Sequence, residues 1–78
     1  MVYVIEIMDP LGKVTRGKAK YRTRKEATVG VLEHFQGQQW VIALTGAALL
    51  KGFDFELLTG IGQARPTHTG WLARVVDA

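Results

Sequence analysis

Hydrophobic and polar positions along the chain follow two periodicities, and together they predict a small sheet with one main helix. Residues 2–8 (VYVIEIM) are rich in β-branched and aromatic side chains and predict a strand. Both faces of that strand are mostly apolar, which places it inside a sheet and not at its edge. Asp9-Pro10-Leu11-Gly12 then matches a type I turn closed by a left-handed glycine, so a hairpin follows. The returning strand is expected over residues 13–22. Thr15, Gly17, Ala19 and Tyr21 fall on one face, and Val14, Arg16, Lys18, Lys20 and Arg22 on the other. The small residues of the first face leave room for a helix, while the cations project outward.

The helix opens on Thr23-Arg24-Lys25-Glu26, a capping box in which the Thr23 hydroxyl accepts from the Glu26 amide and the Glu26 carboxylate reaches back. Ala27, Val31 and Phe35, flanked by Thr28 and Leu32, make an apolar stripe, with Glu26, Val29, Glu33 and Gln36 facing away. Gly37 supplies the stop. Gly30 costs about 1 kcal/mol relative to alanine inside a helix, and either a close contact or simple tolerance accounts for it. Residues 39–45 (QWVIALT) predict a buried strand, with a helix running on through Ala47, Ala48, Leu49 and Leu50 to Gly52 as the alternative. Residues 53–58 alternate as a strand and residues 71–76 make the last one, separated by a 12-residue loop over 59–70. The expected fold is α+β: a small antiparallel sheet of four or five strands with one main helix on one face, in a ββαβββ-like order, and the cations on the other.

Composition narrows the function. Seventy-eight residues make one small domain, which buries only about 60% of the surface its unfolded chain exposes. No cysteine is present, so disulfides are excluded. With His34 and His68 the only histidines, no metal site is expected. Self-association as a homodimer is the remaining common staple. Glu6 interrupts the first apolar run, so no secretory signal is expected. The uncharged segment over residues 37–50 has 14 residues, short of the roughly 20 that span a bilayer. A cytoplasmic chain with no membrane partner is the resulting expectation.

Charge is polarised. Seven of the ten basic residues (Lys13, Arg16, Lys18, Lys20, Arg22, Arg24 and Lys25) lie in a 13-residue window without an acid, whereas the rest of the chain has three basic against seven acidic residues, a net −4. Catalytic parts are scarce. Serine and cysteine are both absent, so no enzyme activity, catalytic residue or cofactor is expected. Asp54 and Glu56 share a strand face and read as solvated charges, and neither His34 nor His68 has a partner visible in the sequence. Gly60-Ile61-Gly62 near Arg65 falls short of a phosphate loop, which would need Gly-Lys-Ser/Thr opening a helix. Tyr3, Tyr21, Trp40 and Trp71 read as packing residues. The basic stripe therefore carries the functional expectation. Residues two apart on a strand stand about 6.7 Å apart, so Arg16, Lys18, Lys20 and Arg22 would track a phosphate backbone, with Lys13, Arg24 and Lys25 at the margin.

The run from Asp9-Pro10-Leu11-Gly12-Lys13 through the basic segment to Tyr21-Arg22-Thr23-Arg24-Lys25-Glu26-Ala27 resembles the N-terminal arm-binding domain of phage-type tyrosine recombinases, over residues 3–35. That resemblance implies a sheet entering the DNA major groove, backed by the helix, with Arg16, Lys18, Lys20 and Arg22 on DNA. The family has three strands before its helix, and two are expected here. The expected function is a small non-enzymatic phage or mobile-element protein that docks through its basic hairpin face on nucleic acid or on an acidic surface of a nucleoprotein complex. The alternative, by analogy of size and charge with anti-CRISPR proteins, is a stoichiometric inhibitor acting by protein contact. If four stripe cations each neutralise a phosphate, DNA affinity falls by about two orders of magnitude from 50 to 200 mM salt. Fluorescence anisotropy across that range checks it, and a flat response counts against the stripe.

Overall fold

A computed structural model describes residues 1–35, 40–60 and 67–78. In chain order its elements are β1 (Tyr3–Met8), β2 (Val14–Arg16), α1 (Arg24–His34), β3 (Val41–Ala43), α2 (Gly46–Leu50), β4 (Phe55–Thr59) and β5 (Thr67–Asp77). The five strands form one antiparallel sheet in the order β2-β1-β5-β4-β3. The α+β expectation therefore holds, and β1 is internal. Its apolar faces explain why: Ile5 and Ile7 are buried on one side and Val4 on the other.

Local signals in the first third are realised closely. The Gly12 amide donates to the Asp9 carbonyl at 3.0 Å, and Gly12 sits at φ +92°, the left-handed region that its lack of a Cβ permits. The Asp9 carboxylate adds two bonds, accepting from the Leu11 and Lys13 amides at 2.9 Å each. At the helix start, Thr23 Oγ1 accepts from the Glu26 amide at 3.1 Å. Glu26 reaches back one residue further than a strict box would, to the Arg22 amide at 3.2 Å.

The main core lies between α1 and one sheet face, where Ala27 and Val31 meet Ile5, Ile7, Leu57, Ala73 and Val75. Phe35, Trp40 and Trp71 close one end of this layer, with ring centroids 5.2 and 5.5 Å apart about Phe35. Leu32, expected beside the apolar stripe, is instead exposed. The opposite sheet face has its own, smaller cover: Ala48 of α2 packs with Phe53, Leu72 and Met8. The buried strand expected over residues 39–45 is instead a three-residue edge strand, Val41–Ala43 with Val41 exposed, and a short helix capped by Thr45 follows it. β5 begins at Thr67, earlier than residue 71, because a register shift opposite Leu57 lets Thr67 and His68 pair with Thr59 and Leu58. The helix ends at His34, with Phe35 as its C-cap; Gly37, expected as its stop, and Ile61, Gly62 and Arg65 of the Gly60-Ile61-Gly62 reading lie outside the described residues.

The largest correction concerns the second strand. It spans only Val14–Arg16 and not residues 13–22. The Gly17 amide still donates to the Ile5 carbonyl at 2.8 Å, and Tyr21 exchanges two 2.8 Å bonds with Tyr3. Three residues, Lys18, Ala19 and Lys20, therefore span on this side what Val4 alone spans on β1, and they bulge out of the ladder. Ala19 is exposed and does not face the helix. The cause lies on α1. A Cβ at Gly30 would come within 2.3 Å of the Tyr21 hydroxyl and 2.5 Å of its ring. The absence of a side chain at Gly30 is what lets Tyr21 dock there and draw the chain back to β1.

The consequence is measurable. Gly30→Ala should destabilise the protein by about 1–3 kcal/mol through overpacking, despite better helix propensity. In a Tyr21→Ala background the same change should stabilise by up to about 1 kcal/mol. Urea denaturation of the four proteins of this cycle checks the reversal of sign.

Candidate nucleic-acid interface

The seven window cations divide into two groups. Arg16, on β2, pairs with Glu6 across the β1–β2 ladder at 3.7 Å and donates to the Asp77 carbonyl at 3.4 Å. Glu6 is simultaneously held by Arg74 at 2.6 Å, whose guanidinium lies 4.6 Å above the Phe53 ring. Arg24, in the first turn of α1, pairs with Asp54 at 3.5 Å. Lys13, Lys18, Lys20, Arg22 and Lys25 are all exposed, and among the described residues none has a carboxylate within ion-pair distance. Lys25 stands apart because it shares a shallow groove beside Tyr21 with Glu26 and Glu33.

This distribution replaces a flat stripe with an edge. The sheet face opposite α1 keeps only Arg16 of the expected row, already engaged by Glu6, and α2 covers Met8 and Leu72 on that same face. The unpaired cations Lys13, Lys18, Lys20 and Arg22 follow the chain from the first turn, past β2, through the bulge to the helix start. Unpaired exposed ammonium and guanidinium groups retain their full attraction for a polyanion, whereas a cation already paired must first give up its partner.

A second polar cluster was not legible in the sequence. Glu56, expected to be solvated, is only 3% exposed. It is inward because α2 covers the second sheet face, a feature that strand alternation does not report. The carboxylate accepts from the Thr45 hydroxyl at 2.6 Å and from Nδ1 of His68. Thr45 Oγ1 also accepts from the Ala48 amide at 3.2 Å, so one side chain caps α2 and ties it to β4. Asp54 is likewise engaged, with Oδ2 accepting from the Val75 amide at 2.8 Å just before β4 begins. A β4–β5 hairpin register placing residue 56 near residue 68 was the one available signal. Chemically, Glu56 orients the His68 ring. The Thr45 hydroxyl gives its one proton to Glu56 and so has none to donate to His68. Among the described residues, no group of three or more His, Cys, Asp or Glu side chains is placed to hold a metal ion, and no helix is long and apolar enough to cross a membrane.

The Thr45 junction is testable. Thr45→Ala removes an N-cap, worth about 0.5–2 kcal/mol, and a hydrogen bond to a carboxylate, worth about 1.5–3 kcal/mol. A loss of about 2–4 kcal/mol in urea denaturation is expected, while Thr45→Ser should stay within about 1 kcal/mol of the parent. Comparison with known proteins leaves the site to be read from its own geometry, since no family model, no curated protein and no solved structure matches the chain.

Proposed function

We propose that this chain is a non-enzymatic binding protein that docks on nucleic acid through the basic edge formed by Lys13, Lys18, Lys20 and Arg22. The observation that carries the reading is the division of the charges. The arginines with structural partners, Arg16, Arg24 and Arg74, are tied to Glu6 and Asp54, while these four cations stand exposed without a carboxylate among the described residues. A chain with a net charge of only +3 that concentrates its unpaired cations on one segment presents a local field far stronger than its total suggests. Phosphates are the natural complement, and contacts of this kind position a nucleic acid without reading its sequence.

The proposed mode differs from the one implied by the recombinase resemblance. A ribbon laid in a major groove needs a continuous two-stranded segment, and three residues of β2 are too few. The bulge instead offers Lys18 and Lys20 from an irregular segment at the sheet margin, with Arg22 leading into α1. Arg16 and Arg24 contribute to the surrounding potential and Lys25 lies at the margin.

A second reading, a stoichiometric inhibitor acting by protein contact, has one observation in its favour. Leu44, Leu49 and Leu50, on and beside α2, are 70%, 58% and 90% exposed, an apolar group on the side of the sheet opposite α1. Nuclease treatment during affinity capture separates the two readings, because only the nucleic-acid reading loses its partner.

The direct test is the salt dependence of binding to a short DNA. Each phosphate contact contributes about one unit to the slope of log affinity against log salt. Lys18→Gln with Lys20→Gln should lower the slope by about two, whereas Arg16→Gln should leave it unchanged. Equal effects from both variants, or none from either, contradict the assignment.

A further inference from the structure

Beside the basic edge, a cleft of about 180 Å³ opens on the sheet face that carries α1, against His34 in the helix's last turn. Its apolar surface comes from Ile5, Ile7 and Trp71. Asp9, Lys13, Thr15 and His34 place hydrogen-bonding groups around it, and Gly17, without a side chain, leaves one wall low. We propose that this cleft receives one unstacked nucleobase, and hence that the partner of the basic edge is single-stranded nucleic acid and not a duplex. The inference rests on the reading of Lys13, Lys18, Lys20 and Arg22 as phosphate contacts.

Three observations carry it. Size comes first: the cleft is smaller than the roughly 300–1,000 Å³ of pockets that enclose drug-sized ligands, so it suits a single ring system. Its chemistry is that of a base site, with an indole and aliphatic floor for the ring and polar groups at its margin. Asp9 illustrates the second part. Its Oδ1 is committed to the Leu11 and Lys13 amides, and among the described residues its Oδ2 has no partner, leaving an acceptor for an exocyclic amino group. The third observation is position. Lys13 lines the cleft itself, and Gly17, on its wall, is followed directly by Lys18 in the bulge. Cations thus stand at both ends of the β2 wall of an apolar slot, an arrangement suited to holding a strand by its phosphates while a base turns inward to stack. A base paired inside a duplex cannot enter such a slot.

Fluorescence anisotropy with three labelled probes of equal length tests this: oligothymidylate, an abasic deoxyribose-phosphate strand, and a duplex. Unlabelled inorganic polyphosphate serves as competitor. The proposal expects oligothymidylate to bind at least about fivefold tighter than the abasic strand, the low end of one base stacked on an aromatic side chain, and tighter than the duplex, with quenching of tryptophan emission. Thr15→Phe, which fills the cleft from an exposed strand position beside Ile7, should bring oligothymidylate down to the abasic level and leave polyphosphate competition unchanged. Trp71→Leu should do the same, and circular dichroism establishes that each variant is folded. Equal binding of thymidylate and abasic strand, or a duplex bound as tightly as the single strand, overturns the base site while the phosphate-binding edge stands. Failure of every polyanion to bind, polyphosphate included, overturns both readings.

Discussion

Tyr21 resting on the bare backbone of Gly30 is the contact on which the disposition of the charged segment depends. It brings the chain back to β1 after an excursion of three residues, and the two-bond bridge between Tyr21 and Tyr3 fixes the return. With Gly17 held to Ile5 at the other end, Lys18, Ala19 and Lys20 have no ladder position to occupy. A regular strand over the same residues would have aligned the cations on a sheet face, next to Glu6 and beneath the reach of α2. The bulge instead moves two of them to the margin of the sheet, away from Glu6, the one carboxylate that pairs with both Arg16 and Arg74.

The two sheet faces divide the remaining work. One carries the main core under α1, built from β-branched side chains, Leu57 and two alanines that admit close packing. The other has too little apolar cover for a second full layer, and a single turn of helix supplies it. Glu56 is the connection between that turn and the sheet. A buried carboxylate is costly unless its oxygens are bonded, and here the Thr45 hydroxyl and the His68 ring meet that need, so α2, β4 and β5 are joined at one point. The leucines of α2 that face outward are the residue of this economy: a five-residue helix has one inward position, Ala48, and leaves the others in solvent.

How much of this could be read beforehand follows from the range of the interactions. The Asp9–Gly12 turn and the Thr23 cap depend on residues within four positions of each other, and both were legible. So was the internal position of β1, since a strand apolar on both faces must be covered twice. The alternation over residues 13–22 pointed to a continuous strand because nothing local interrupts it, and the interruption comes from Gly30, on another element. Gly30 itself stood out, but whether it marked a contact was undecidable without the partner. Glu56 was misplaced for a related reason. Period-two patterning assigns a residue to a face, and burial of that face depended on a helix whose five residues carry no clear period. Of the seven candidate cations, the sequence grouped all and could not separate those with carboxylate partners on other parts of the chain, Arg16 and Arg24, from the rest.

The account stands or falls on where a polyanion touches the molecule. Backbone amide chemical shifts recorded while oligothymidylate is titrated into isotope-labelled protein locate that surface residue by residue. The largest changes should fall at Lys13, at Gly17 through Arg22, and at the Trp71 indole, with α2 unaffected. Changes centred on Leu44, Leu49 and Leu50, or spread evenly over all basic residues including Arg16, Arg24 and Arg74, would contradict it.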